Sequence, residues 1–227
     1  MQVEVWSDVV CPWCYIGKRR FETAFEHVSQ RRDTSSIEIV FRPYQLDPTA
    51  RAGRAQPVVE AYAKKFGGPE RAREMLDRVT QIAADDGLEF HMDIALRANT
   101  LLAHRLLWLA ESRGNQIALK ERLLRAYFTE GVDIGDPEAV AGCATDVGFE
   151  HDEVIAFLAS DGGHGEVMEA LATASANGIT AVPTFVFDQQ WALPGAQDPE
   201  LFERVLDKML DAEAEANAAS ATAVATG

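Results

Sequence analysis

The spacing of apolar residues changes twice along this chain, and each change marks a boundary. Val3-Glu4-Val5-Trp6-Ser7 alternates apolar and polar and is rich in β-formers, which predicts a first strand. From Lys18 onward Phe21, Ala24, Phe25 and Val28 fall at i, i+3, i+4 and i+7, one face of a helix. Residues 37–42 read as a second strand. Pro43 and Pro48 mark an extended crossing after it. Past residue 54 the pattern turns helical and stays so to residue 177. Helices are expected over 57–66, 69–86, 100–113, 116–130, 137–144, 152–159 and 166–176, punctuated by Gly67-Gly68, Gly114, Gly131, Gly162-Gly163 and Gly178. Asn99 is placed to cap the third of these, and Asp136-Pro137 to start the fifth. The β pattern returns over 179–188, turns at 188–190 and continues over 191–193, an antiparallel hairpin. An amphipathic helix over 200–210 follows. From Ala212 the chain is Ala-rich without an apolar stripe, and order is expected to fade beyond about Ala218.

This order predicts an α/β protein with one sheet built from both ends of the chain. Residues 1–48 and 178–211 would form that discontinuous unit. Residues 49–177 would be an all-helical insertion whose last helix packs back on the sheet, and 212–227 a flexible tail. The length of 227 residues agrees with more than one ~100-residue unit. A net charge of −15 argues against nucleic acid as a partner. No run reaches the length of a membrane span. The start, Met1-Gln2-Val3-Glu4-Val5, has no basic n-region, apolar h-region or cleavage site, so a cytoplasmic location is expected.

The chemistry is concentrated where the first strand meets the first helix. Cys11-Pro12-Trp13-Cys14 occupies that junction. A thiolate at Cys11 would face the unpaired N–H groups and positive dipole end of the helix, which favour it. Pro12 suits the first helical position, and Cys14, nearly one turn on, can face the same way. Zinc would need two more ligands, but Cys143 is the only other cysteine. A c-type haem site would need His after Cys14, where Tyr15 stands. A redox dithiol in a thioredoxin-like setting remains: Cys11 attacks a disulfide and Cys14 resolves the mixed species.

Pro183 in Val182-Pro183-Thr184 interrupts a β pattern, where it cannot donate to a ladder. It is either a strand-edge bend or a cis proline beside the dithiol; only about 5–6% of X-Pro bonds are cis by default. Three stretches carry a resemblance here: residues 8–17, residues 99–106 (Asn99-Thr100-Leu101-Leu102-Ala103-His104-Arg105-Leu106), and residues 178–185 through Pro194-Gly195-Ala196-Gln197. In this order they resemble the FrnE-type branch of the DsbA-like thioredoxin superfamily, over all but the Ala-rich tail. The resemblance implies a thioredoxin fold with a large all-helical insertion between the second strand and the cis-proline hairpin. It also implies thiol–disulfide oxidoreductase activity, Pro183 cis next to the cysteines, and Val182 offering its backbone to an extended thiol substrate. The same branch contains 2-hydroxychromene-2-carboxylate isomerases and kappa-class glutathione transferases, which carry serine at the position of Cys11. This chain has both cysteines. The second cysteine pair of some FrnE-type proteins is absent, since Cys143 stands alone.

Other candidates have two readings each. Asp8 is a proton acceptor for Cys14 through water, or a loop carboxylate capping the turn. Trp13 shields the pair and packs on a partner, or is a solvent-shielded structural residue, two readings that are compatible. Asn99 is a helix cap, and the resemblance places it with His104 on an insertion surface facing the site. Gly195, Gln197 and Asp198 precede a helix N-terminus where a glutathione carboxylate could dock, Asp198 being otherwise a cap. Cys143 reads as a buried apolar residue. The reading is thus a thiol–disulfide oxidoreductase of protein or small-thiol clients, needing no metal or organic cofactor beyond glutathione or another low-molecular-weight thiol. A glutathione-dependent isomerase or transferase is the first alternative and a redox-gated chaperone or binding protein the second. Oligomeric state is left open.

Overall fold

The computed structural model describes the backbone of residues 1–225 and side chains to 218. In chain order the elements are β1 (Gln2–Ser7), α1 (Pro12–Ser29), β2 (Glu38–Pro43), β3 (Gln56–Pro57), α2 (Val58–Phe66), α3 (Pro69–Asp85), β4 (Leu96–Arg97) and α4 (Leu101–Ser112). They continue with α5 (Gln116–Phe128), α6 (Pro137–Thr145), α7 (His151–Ala159), α8 (His164–Ala176), β5 (Thr184–Phe187), β6 (Trp191–Pro194) and α9 (Pro199–Ala225).

The main sheet has the order β2-β1-β5-β6. β1 runs parallel to β2, from Gln2 opposite Glu38 to Ser7 opposite Pro43, and antiparallel to β5, from Val3 opposite Phe187 to Trp6 opposite Thr184. Side chains alternate across it. Val3, Val5, Phe185 and Phe187 face Phe21, Ala24 and Val28 of α1 and Phe202, Leu206 and Met209 of α9, all nearly inaccessible to solvent. On the other face Trp6 meets Ala174 of α8 and Ile179. α8 packs along β2.

The helical block has its own core, including Leu106, Leu119, Leu123, Leu124 and Phe128, and it reaches Tyr15 and Ile16 of α1. α1 is therefore shared: one stripe covers the sheet and another lies in the insertion. Tyr15 donates to Glu121 Oε1 at 2.7 Å, and Arg19 pairs with the same carboxylate at 3.0 Å. Gln116 of α5 closes the outer edge of β2. Its Oε1 accepts the Phe41 N–H at 2.8 Å, and its Nε2 donates to Phe41 O at 3.0 Å, which replaces the missing neighbour strand.

Several expectations need correction. Pairing in the hairpin starts only at Thr184, not at 179, because Pro183 has no N–H to give a ladder. The two-residue pair β3–β4 is additional to the expected strands, since strands that short carry no periodicity. The cap position of α4 is Thr100, one residue after Asn99, although Asn99 Oδ1 still accepts the Leu101 N–H at 2.9 Å. α9 does not end near Leu210 but runs through the Ala-rich stretch to Ala225, as suits the best helix former. The last part of the expected tail, residues 226 and 227, lies outside the described residues. Among the described residues no helix is long and apolar enough to cross a membrane.

Candidate active site

β1 ends at Ser7, and Asp8-Val9-Val10 turns the chain into α1. Cys11 takes the N-cap with extended backbone (φ −93°, ψ 114°), and Pro12 begins the helix. Its absent N–H costs no bond there. The Cys14 N–H returns to Cys11 O at 3.0 Å, so one tight turn separates the cysteines. Both are free thiols and both are buried, at 3% and 2% exposure. Trp13 between them is 43% exposed and forms the open rim.

The hairpin supplies the opposite wall. The Val182–Pro183 peptide bond is cis, and the Cys11 thiol donates to Val182 O at 3.7 Å. Gly17 explains how α1 comes so close. A Cβ there would stand 2.9 Å from Pro183 Cγ, nearer than real Cβ contacts come, and 3.4 Å from Ala196. Gly195, at φ +86°, donates its N–H to Pro183 O at 2.7 Å and fixes the loop from behind.

Beneath the dithiol lies Asp8, fully buried. Its carboxylate accepts the Val9 and Leu46 N–H groups, each at 2.8 Å, and meets His104 Nε2 at 3.1 Å. His104 Nε2 also lies 3.0 Å from Tyr44 O. Set between two acceptors, that nitrogen carries the proton in this network. Burial pushes the Cys14 thiol well above its ordinary pKa, and the hydrogen bond and charge of Cys11 push it further. Lys120 and the Asp8 backbone act the other way.

Lys120 is the residue that sequence reasoning missed. It is 1% exposed, and its Nζ has no hydrogen-bond acceptor among the described residues. The ammonium sits 5.5 Å over the Phe41 ring. Burial pushes its pKa down to about 8, against the pull of negative charge at Cys14, Asp8 and Cys11. Tyr62 and Tyr127, also from the insertion, are raised by burial and feel the Cys11 charge as well. A signal for Lys120 existed. Residues 116, 119, 120, 123, 124 and 127 form one helical stripe, and Gln116 and Lys120 are the polar members of an otherwise apolar or aromatic face.

The remaining candidates are placed as follows. His104 does not face substrate: at 2% exposure it supports Asp8 from below. Asn99 has both ends engaged, Nδ2 on Ala50 O at 2.8 Å and Oδ1 on Leu101. With the Arg97–Asp47 ion pair, these residues hold the crossing at 44–50 against the insertion, and that crossing presents Leu46, 46% exposed. Gln197 Nε2 is spent on Pro194 O at 2.6 Å, and Asp198 pairs with Arg20 at 3.3 Å while its backbone O starts α9. The exposed Asp198 carboxylate repels an anion, so the expected carboxylate dock is not favoured there. Cys143 is buried, and burial raises its pKa.

This arrangement, a dithiol at a helix start facing a proline loop with a buried carboxylate below, can form, exchange and break disulfides. The sequence matches the DsbA-like thioredoxin domain over residues 2–207. A solved structure titled a probable DsbA oxidoreductase, from Streptomyces coelicolor, is 34% identical and superposes with a TM-score of 0.83, covering 93% of this chain and 90% of that one. The uncharacterized protein YwbO of Bacillus subtilis is 25% identical over 208 residues, 91% of this chain and 96% of its own. The cytosolic disulfide reductase DsbM of Pseudomonas aeruginosa, solved with GSH, shares the fold at 18% identity and a TM-score of 0.65, covering 93% of this chain and all (100%) of its own. With the match spanning nearly the whole chain, this protein belongs to the DsbA-like thioredoxin domain family.

Proposed function

We propose that this chain is a thiol–disulfide oxidoreductase for protein or small-thiol disulfides, with Cys11 as nucleophile and Cys14 as resolving thiol. The observation that carries the reading is the inequality of the two cysteines. Cys11 heads the helix beside Val182 O, whereas Cys14 lies a turn deeper with its proton held tightly. In the reducing direction, the Cys11 thiolate attacks one sulfur of the partner disulfide. That S–S bond breaks, and the other partner sulfur leaves as a thiolate and takes a proton. Cys14 then gives up its proton and attacks Cys11 Sγ, releasing the second partner thiol and leaving the Cys11–Cys14 disulfide. Two electrons pass to the partner, and the reverse sequence oxidises a dithiol.

Asp8 and Lys120 are the ionisable groups placed to help the second step. Lys120, with a pKa of about 8, offsets the charge of a Cys14 thiolate in a site that has little solvent. Trp13 and Leu46 offer apolar contact at the rim. The Val182 N–H makes no hydrogen bond among the described residues and is free to pair with an extended substrate backbone. The GSH in the DsbM structure supports glutathione as one small-thiol partner, and the cytosolic description of DsbM supports a reducing compartment for this chain.

The test is a redox titration in graded glutathione buffers, with thiols trapped by alkylation and read by mass. Cys11 and Cys14 should lose their labels together. The Cys14→Ser variant should accumulate a mixed disulfide at Cys11 and lose turnover. The reading is wrong if the wild type instead builds up a glutathione adduct at Cys11 and Cys14→Ser retains full activity. That result would favour a glutathione-dependent isomerase or transferase.

A further inference from the structure

Two tyrosines from different insertion helices approach the dithiol, Tyr62 from α2 and Tyr127 from the last turn of α5. Both pack on the core that takes in Val9 and Val10, the residues just before Cys11. Their rings are set edge-on to phenylalanines, Tyr127 on Phe128 with centroids 4.7 Å apart and Tyr62 on Phe66 at 5.3 Å. Both feel the charge of Cys11, and Tyr127 also feels Tyr62 and Asp8, so the four groups form one cluster.

What sets these two apart is the state of their hydroxyls. The chain has four tyrosines. Tyr15 donates to Glu121 at 2.7 Å and Tyr44 to Thr180 O at 3.3 Å. Tyr62 and Tyr127, the pair near Cys11, have no hydrogen-bond partner among the described residues, and neither bonds to Cys11 itself. Nor are their oxygens sealed from solvent. The unpartnered side-chain polar atoms that solvent does not reach belong to Trp6, Ser7, Arg19, Lys120 and Arg122. Tyr127 is only 3% exposed, yet its hydroxyl is not one of them. Burial keeps both phenols protonated at neutral pH. Each is therefore a fixed O–H donor, open to solvent, unused, and within reach of the charge at Cys11.

The geometry of attack says what such donors meet. A thiolate attacks a disulfide in line, so the leaving sulfur stands two S–S lengths, about 4 Å, beyond the attacking sulfur. Cys11 Sγ already has Val182 O at 3.7 Å. The new negative charge appears on the leaving sulfur, and an aliphatic thiol with a pKa of about 8.5 leaves slowly unless that charge is met. We infer that Tyr62 and Tyr127 donate hydrogen bonds to the leaving sulfur of an aliphatic disulfide as Cys11 attacks it, an inference that rests on Cys11 being the nucleophile. The bond from Cys11 Sγ to the near sulfur forms and the partner S–S bond breaks. The departing thiolate is held by the two O–H groups until it takes a proton from water. The phenols lose no proton, and no further reagent is required. Donors fixed where charge develops stabilise the transition state most. Disulfides of glutathione or cysteine, whose thiols leave poorly, gain most from this. An aromatic disulfide, whose thiol is already acidic, gains little.

The test compares the rates at which Cys11 in the Cys14→Ser background attacks oxidised glutathione and an aromatic nitrobenzoate disulfide. Tyr62→Phe/Tyr127→Phe removes only unbonded hydroxyls and keeps both rings, so the fold should hold, with urea unfolding as the check. Tyr127→Phe alone should give the same pattern at smaller size. The double variant should slow attack on oxidised glutathione roughly tenfold or more. Attack on the aromatic disulfide should change by less than about threefold. The Cys11 thiolate, followed by its ultraviolet absorbance against pH, should titrate as before. The inference is overturned if neither rate falls, or if both fall equally, which would make the tyrosines donors to Cys11 or mere packing. If the Cys14→Ser parent attacks neither disulfide, the oxidoreductase reading falls and takes the inference with it. A parent that reacts and is matched by the tyrosine variants sinks the inference alone.

Discussion

Replacing Lys120 with Met removes a buried charge while keeping most of the volume, and the effect can be worked out in advance. The ordinary lysine pKa of 10.5 falls to about 8 in the folded chain. The folded state therefore binds fewer protons than the unfolded state between those two values. Stability rises with pH across that window, and below pH 8 the full penalty of the buried ammonium is present. At about 1.4 kcal/mol per pKa unit, the shift corresponds to roughly 3 kcal/mol between pH 7 and pH 10.5. Other buried groups titrate in the opposite sense: Cys14, Tyr62 and Tyr127 have raised pKa values and reduce stability as pH passes their ordinary ranges. The difference between wild type and Lys120→Met cancels the tyrosine contributions to first order, and the Cys14 contribution, which Lys120 lessens, adds in the same direction. The assay is urea unfolding of both reduced proteins at steps from pH 7 to pH 10, followed by tryptophan fluorescence. Wild type should gain on the variant by up to about 3 kcal/mol as pH rises. If the two curves run parallel, Lys120 is not a desolvated charge, and its role beside Cys14 falls with it.

Two further substitutions test how the site is held. Gly17→Ala puts a Cβ 2.9 Å from Pro183 Cγ and should cost about 1–3 kcal/mol while slowing mixed-disulfide formation at Cys11; a variant with wild-type stability and rate would show that the loop yields freely. Gln116→Leu strands the buried Phe41 N–H and C=O and should lower stability by roughly 2 kcal/mol or more. Hydrogen exchange at the Phe41 amide gives the direct check, since unchanged protection would mean another group closes the β2 edge.

What could be read from the sequence and what could not divide along a physical line. Cys11, Pro12 and Cys14 were legible because their chemistry is local: a strand-to-helix junction fixes a cap, a first-turn proline and a second thiol one turn on. The discontinuous sheet was legible because the spacing of apolar residues shifts at both ends of the chain. The surroundings of the dithiol were not, because they are made by contacts between distant segments. His104 belongs to a helical face that looks the same whether it meets substrate or Asp8, and only the fold turns it inward. Gly17 reads as a poor helix residue until Pro183 is seen against it.

α5 makes the general point. One face of this insertion helix carries Gln116, which completes the sheet edge, Lys120, whose charge Cys14 feels, and Tyr127, which feels the charge of Cys11. A helix that only covered the dithiol would present apolar side chains along that stripe. The polar residues there cost burial, and two of them are set against the sheet edge and the cysteines. The insertion therefore places buried ionisable groups that act on Cys11 and Cys14 and does not merely cover them. Changes on α5 should therefore alter the pH dependence of the dithiol, whereas changes on the exposed faces of α2 and α3 should alter at most which partners reach it.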